Sequence, residues 1–334
     1  MLFPWFKKFW KKINYLRNKL PNVILFYGNY GIGKVNFVQY FAKSLLCENF
    51  FSKKKICNKK EFCISCFWFN KNIHPDYFSI LPEVINKNEK SIYLNKLLLN
   101  KLNINQIKLL IKFTYFTNSL CNLKVILLSD IESLNIFSAN SLLKILEEPP
   151  KKVIFLLIAN NLKKILPTIL SRCYKIILRK PSYEESLFWL KKKSLKNIEE
   201  LFFNSGGFPI LALKYFYKNY YFFLKKFFSF LFYPKNVDIN NLSKYLLKID
   251  IKSLLLILQL WLYDLFFLKT TNNIYYFFHF KKKLLFLVQK TTILKINFLL
   301  KKINNEILLY SEFLSSYLFI ESLLIEYQLI FFNF

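Results

Sequence analysis

Val23-Ile24-Leu25-Phe26-Tyr27 followed by Gly28-Asn29-Tyr30-Gly31-Ile32-Gly33-Lys34-Val35 decides the fold. The first five residues are a wholly apolar run of strand length, and a helical spacing of apolar residues starts at Lys34 and runs to Leu46. Strand, glycine loop and helix form the context that a phosphate-binding loop needs. Glycines let backbone N–H groups curl around phosphate oxygens, the helix N-terminus adds a favourable dipole, and Lys34 has the length to reach outer phosphates. The GxxxxGK spacing is complete. Its last position fails, because Val35 stands where a Ser or Thr hydroxyl would hold Mg²⁺.

Working outward, further apolar runs at 77–81, 124–128, 153–158 and 174–178 alternate with helical patterns at 104–116 and 138–146 and a short helix ending at Leu170. That alternation predicts a parallel sheet covered on both faces. Residues 1–20 read as an amphipathic helix ended by Pro21, and 47–73 as a compact loop module without periodicity. After Pro181 the strand-like runs stop. Small helices are expected over 182–218, around Gly206-Gly207 and Pro209, and long helices from about 219 onward. The organisation is an α/β domain over 1–180, a small helical domain over 181–218 and an all-helical domain over 219–334.

The second half of an ATP site belongs at the end of the third strand, as Asp-Glu after an apolar run. The run here ends Leu127-Leu128-Ser129-Asp130-Ile131-Glu132, so Ser129 takes the place of the metal-binding Asp and Asp130 that of the catalytic Glu. A serine hydroxyl is a poor substitute for a carboxylate facing Mg²⁺. Two losses on one metal read as a nucleotide fold that has lost hydrolysis.

With 54% hydrophobic residues among 334, disorder is excluded as the general state. The formal charge of +30 has two readings: attraction to nucleic acid or an anionic surface, or a lysine-biased solvated surface. The second fits the skew of 47 Lys to 3 Arg, with Asn, Ile and Phe abundant, which AT-rich codons produce. The skew makes scarce residues informative. Three of the five glycines fall between Gly28 and Gly33, and Arg172 sits in Ser171-Arg172-Cys173. The greasiest stretches, 253–263 and 313–334, are interrupted by Gln259, Glu321 and Glu326 and do not read as membrane spans. The N-terminus lacks the apolar core of a secretory signal, so six cysteines point to a reducing compartment and to metal or catalytic use.

Cys47, Cys57, Cys63 and Cys66 are spaced C-x9-C-x5-C-x2-C. The CxxC knuckle lets two thiolates reach one tetrahedral ion, the other pair coming from the preceding loop. A module this short with little core needs a metal to close it. His74 competes as a ligand, but His74-Pro75-Asp76 lies past the cluster and reads as a cap on the turn into the next strand. Cys121 and Cys173 read as small buried fillers.

Pro4-Trp5, the degenerate glycine loop, the four-cysteine insert and His74-Pro75-Asp76 leading to Leu81-Pro82-Glu83 occur in a fixed order. Ile104-Asn105-Gln106-Ile107 follows, then Ser141-Leu142-Leu143-Lys144-Ile145-Leu146-Glu147-Glu148-Pro149-Pro150 and Pro167-Thr168-Ile169-Leu170-Ser171-Arg172-Cys173. On these motifs, collinear over 1–180, the chain resembles the delta-prime subunits of bacterial DNA polymerase III clamp loaders, which are AAA+ proteins. Beyond 181 the likeness thins to Ser205-Gly206-Gly207 and Trp261-Leu262-Tyr263-Asp264-Leu265.

The resemblance implies an AAA+ P-loop NTPase-like sheet with an inserted zinc module at about 47–66, a helical lid and a C-terminal helical collar. It implies a five-membered ring with gamma/tau motor subunits and a delta subunit, which places a sliding clamp on primer-template DNA in the bacterial cytoplasm, at the nucleoid, with no membrane involved. Within it the chain would be a stator without catalytic activity of its own, in a DNA-directed DNA polymerase holoenzyme. Structural zinc would sit on Cys47, Cys57, Cys63 and Cys66. Gly28, Gly31, Gly33 and Lys34 would be a relic phosphate loop whose ATP binding is left open, and Arg172 an arginine finger lent to a neighbour's ATP. A planar fork suits spreading phosphoryl charge better than an ammonium does; the alternative for Arg172 is a structural salt bridge. The family's cysteine spacing is tighter, and Ile210 falls where motor subunits carry a sensor arginine. Two rival readings are an ATP-hydrolysing motor subunit of the same complex and a zinc-containing DNA-binding protein using the lysine surface.

Overall fold

Apolar runs too short for helices, and apolar on both sides, are stable only as strands with both faces covered. In the computed structural model they become β1 (Val23–Tyr27), β2 (Tyr77–Ile80), β3 (Lys124–Leu128), β4 (Val153–Ala159) and β5 (Tyr174–Ile177). The structure describes residues 2–15, 20–49, 57, 63–81, 104–116, 120–193, 196–234, 238–309 and 316–331. Pro82, Glu83 and most of the loop between Cys47 and Cys63 lie outside them.

The five strands pair parallel in the order β2-β3-β4-β1-β5. This is the parallel α/β sheet expected. Register runs from Val23 opposite Phe155 to Tyr27 opposite Ala159, and from Lys124 opposite Val153 to Leu128 opposite Leu157. The C-terminal ends of β1, β3 and β4 therefore open side by side, where parallel sheets place their sites. β3 and β4 are buried along their whole length, whereas β5 is an edge strand with one buried residue.

Helix α1 (Lys7–Tyr15), preceded by a 3₁₀ turn at Pro4–Phe6, and α2 (Lys34–Leu46) lie next to β1 in the chain. Phe6 and Trp10 pack on Phe37 of α2 at 4.8 and 6.3 Å between ring centres, and Phe37 and Phe41 pack on Phe26 of β1. The Trp5 indole donates to the Ile32 carbonyl at 3.1 Å, tying the N-terminus to the glycine loop. Another core joins the strands to α4 (Ile104–Tyr115) through Ile107 and Leu110, and to α5 (Ile136–Glu147) through Leu142, Ile145 and Leu146.

One local expectation is corrected. Residues 47–73 are not all loop: α3 (Ile64–Asn70) starts at the second half of the CxxC knuckle, with Cys63 as its N-cap accepting from the Cys66 N–H. Seven residues are too few to show helical periodicity in a sequence.

The chain folds as two compact units, Met1–Pro181 and Ser182–Phe334. After the short α6 (Pro167–Ser171) of the first unit, the second contains α7 (Tyr183–Lys191), α8 (Ile198–Asn204) and α9 (Pro209–Tyr217), with Leu190, Ile198, Phe202 and Ala212 as a shared core. α10 (Tyr221–Phe232), α11 (Ile239–Leu246), α12 (Ile251–Thr271), α13 (Lys281–Gln289), α14 (Ile293–Leu309) and α15 (Ser316–Leu329) follow. Ser253–Thr271 is long and apolar enough by composition to cross a membrane, which corrects the shorter stretch read from the sequence. Over half of it is buried inside the protein, and its polar groups have partners there. Gln259 donates to Asn304, and Trp261 to the Tyr327 hydroxyl at 2.9 Å. These are the partners of a core helix.

Asp264, fully buried on α12, accepts from the backbone N–H groups of Tyr275, Tyr276 and Phe277 at 2.6–3.2 Å. A charged acceptor makes each such bond strong, and an amide would set its own N–H₂ against these donors. Asp264→Asn is therefore expected to lower stability by about 2 kcal/mol in urea unfolding followed by circular dichroism. An unchanged midpoint would mean that this loop is held by packing alone.

Candidate functional sites: the glycine loop, four thiols and Arg172

The glycine loop leaves the C-terminal end of β1 with little room. A Cβ on Gly28 would lie 2.2 Å from the Leu178 carbonyl oxygen, so any larger residue would push β5 away. Gly33 closes the loop at φ 89°, a left-handed conformation that glycine adopts without strain.

Lys34 is buried and its ammonium is turned into its own chain. It donates to the Gly28 carbonyl at 2.7 Å, the Asn29 carbonyl at 2.8 Å and Asn160 Oδ1 at 2.7 Å. The Asn160 amide in turn donates to Glu132 Oε1 at 2.6 Å and Asp130 Oδ1 at 3.2 Å, and its backbone N–H to Glu132 Oε2 at 2.8 Å. Burial pulls the Lys34 pKa down to about 8, against the opposing pull of Glu132 and Asp130. Lys34 thus gives its three N–H donors to acceptors of its own chain. Ser129 is buried with its hydroxyl on the Ile80 carbonyl. Asn160 was missed in the sequence; its one signal is being the first polar residue after the β4 run.

The four cysteines do converge. Their Sγ atoms all lie within 4.8 Å of one another, and Cys47 Sγ and Cys57 Sγ are 3.7 Å apart. Four thiolates at about 2.3 Å from one tetrahedral ion would be about 3.8 Å apart, so the donor set fits zinc. Cys47 ends α2, Cys63 caps α3 and Cys66 sits in its first turn. The Asn49 amide donates to Cys57 Sγ at 3.3 Å, and the Cys66 N–H to Cys63 Sγ at 3.4 Å. Burial pushes the Cys47 and Cys66 thiols up. It acts in the same sense on Cys57, but hydrogen bonds led by the Cys63 backbone and Asn49 outweigh it and bring that thiol to about 7.

His74 is not in this cluster. Its Nδ1 accepts from the Asp76 N–H at 3.0 Å, the capping role read from the sequence. The two remaining cysteines are half-buried rather than buried: Cys121 Sγ lies 3.9 Å from His74 Nε2, and Cys173 Sγ donates to the Ile169 carbonyl at 3.0 Å.

Arg172 ends α6, in neither cluster. Its Nη1 donates to the Thr168 carbonyl at 2.8 Å and to Ser171 Oγ at 3.2 Å, and its Nη2 pairs with Glu147 Oε1 at 2.5 Å. The side chain keeps a third of its surface exposed. Ile210 lies half-buried in α9.

The family described as "DNA polymerase III, delta subunit" matches residues 6–182. "DNA polymerase III subunit delta'" of Pseudomonas aeruginosa is 32% identical over 215 residues, 63% of this chain and 60% of that protein. The protein of the same name from Buchnera aphidicola subsp. Schizaphis graminum is 33% identical over 216 residues, again 63% and 60%. A "DNA polymerase III subunit gamma" from the same Buchnera is 30% identical over 185 residues, 54% of this chain and 46% of that one. The chain thus spans about three fifths of the length of the delta-prime relatives that it matches. With over half of its residues inside the family match, and with relatives named delta-prime, the chain belongs to the DNA polymerase III delta-subunit family, as its motifs led one to expect.

Proposed function

We propose that this chain is the delta-prime stator of a bacterial clamp loader: a cytoplasmic subunit that hydrolyses no ATP and lends Arg172 to a neighbour's. Its partners are gamma/tau motor subunits and a delta subunit in a five-membered ring, which loads a sliding clamp on primer-template DNA. The observation that carries this reading is the contrast between two cations. Lys34, which a working phosphate loop would aim at nucleotide, is buried among three acceptors of its own chain, while Arg172, also bonded to three acceptors of its own chain, keeps a third of its side chain at the surface. Val35 and Ser129 remove the Mg²⁺ hydroxyl and carboxylate as well. The four thiols, Cys47, Cys57, Cys63 and Cys66, would hold one zinc ion. With all four positions taken by protein, that metal supplies folding energy to the module and no chemistry.

Arg172→Ala, in a complex reconstituted with its motor and delta partners, is expected to leave assembly intact and depress DNA- and clamp-stimulated ATPase. A lone arginine finger is worth roughly 10³–10⁵ in rate; the drop is smaller, about severalfold, if the ring's other sites carry their own arginines. Arg172→Lys should recover little, because it keeps the charge and loses the fork. Wild-type clamp loading by the alanine variant would make the Glu147 pair a structural bond and end the trans-acting role.

The isolated chain is expected to show no Mg²⁺-dependent ATP hydrolysis above background in a phosphate-release assay. Turnover that Lys34→Ala abolishes would favour the motor reading.

Lys34 also gives a pH signature. Its folded pKa lies near 8 and its unfolded value near 10.5, so between these the unfolded chain binds the extra proton and stability rises with pH. From pH 7 to 9.5 the wild type should gain up to about 2 kcal/mol relative to Lys34→Met, read as the difference of their urea midpoints. Parallel pH profiles would place the ammonium in solvent.

A further inference from the structure

Beside the four thiols runs a one-directional chain of buried hydrogen bonds. The Asp76 N–H donates to His74 Nδ1 at 3.0 Å, which fixes the ring proton on Nε2. That nitrogen lies 2.9 Å from Ser65 Oγ, and the Ser65 hydroxyl donates to the Leu46 carbonyl at 2.6 Å. The Ser65 hydroxyl thus accepts from the His74 ring and donates to the Leu46 carbonyl, and the Cys121 thiol lies beside both, 3.8 Å from Ser65 Oγ and 3.4 Å from the Leu46 carbonyl. Asp76 is anchored in turn, with Oδ2 accepting from the backbone N–H groups of Leu120 and Cys121 at 2.8 Å each. Ser65, His74 and Asp76 are at most 4% exposed.

The two ends of this relay matter because of their neighbours in sequence. Leu46 precedes Cys47 and Ser65 precedes Cys66. These are the two buried thiols; Cys57 and Cys63 are half-exposed. One hydroxyl therefore clamps the end of α2 to the start of α3, residues 19 apart in the chain, at the point where each delivers a buried sulfur. Along the chain these two cysteines are separated by nine residues to Cys57, five more to Cys63 and the knuckle to Cys66, and between the two helices Lys43 also donates to Asn70 Oδ1 at 2.8 Å.

We propose that Ser65 and His74 are positioning residues for the four-thiol site: they hold the Cys47 and Cys66 backbones in register, so that the buried half of the site is formed before a metal arrives. The proposal rests on the zinc reading above. Groups that orient ligands without touching the metal typically contribute 10- to 100-fold to its affinity.

The test is competition for Zn²⁺ between the full chain and a chromophoric chelator, with Co²⁺ absorption as a second readout of ligand geometry. Ser65→Ala and, from the other end of the relay, His74→Gln are expected to lose about tenfold or more in zinc affinity and to broaden the Co²⁺ d–d bands. Ile126→Val, a core truncation in β3, should lower the urea midpoint and leave both metal readouts unchanged. Zinc affinity within twofold of wild type in both relay variants would overturn the positioning role, as would an equal loss in Ile126→Val, which would make the effect one of general stability. A wild-type chain that binds no zinc and gives no tetrahedral Co²⁺ spectrum would overturn the metal reading itself. That outcome is recognisable before any variant is measured.

Discussion

A buried ammonium must be surrounded by acceptors or lose its charge, and in the first unit that requirement falls on Lys124, which donates to the Phe113 and Phe116 carbonyls, and on Lys34. Its three bonds join the loop after β1 to the residue after β4, and Asn160 passes the contact on to Asp130 and Glu132 after β3. Three strand ends are thereby fixed to one another by two side chains, Lys34 and Asn160. The lysine's acceptors also explain the loop's shape: the Gly28 and Asn29 carbonyls point inward at Lys34.

How much of this was legible follows from what each signal depends on. β1, β3 and β4 are fully covered strands, and such strands announce themselves as unbroken apolar runs; their boundaries were read to within a residue. Convergence of the cysteines was legible from one CxxC knuckle, despite irregular spacing elsewhere. Helix α3 was not, because its cap is a cysteine rather than Ser or Asp and its length is two turns. Lys34's destination was beyond reach: Asn160 is 126 residues away, and only the parallel pairing of β1 with β4 brings them together. Ser253–Thr271 shows the converse limit. Hydropathy scores burial without saying whether protein or lipid does the burying.

In the second unit two residues of the Trp261–Leu265 stretch have fixed physical roles. Trp261 and Asp264 are both fully buried, and each carries a polar atom that must be satisfied there. The Trp261 indole donates to the Tyr327 hydroxyl, which donates to the Leu231 carbonyl, so three helices meet on two bonds. Asp264 gathers the N–H groups of 275–277 from the opposite direction. The apolar residues between them are replaceable by others of similar volume, whereas these two are not.

A chain with 47 lysines has no shortage of positive charge, so the position of an arginine is a statement about shape. Arg172 spreads its fork over two oxygens of its own helix end and one carboxylate of α5, three bonds that a single ammonium on a flexible stem would not hold in one plane. Glu147 sits half in solvent, so this ion pair is screened and contributes little to stability. Its effect is geometric. It holds a charged plane still at the surface, at low energetic cost to break. A phosphate carrying more negative charge than one carboxylate could compete for Nη2 while Nη1 stays on the Thr168 carbonyl. On the proposed reading, the same pair that looks structural in the free subunit is what keeps Arg172 ordered until another chain's nucleotide displaces Glu147.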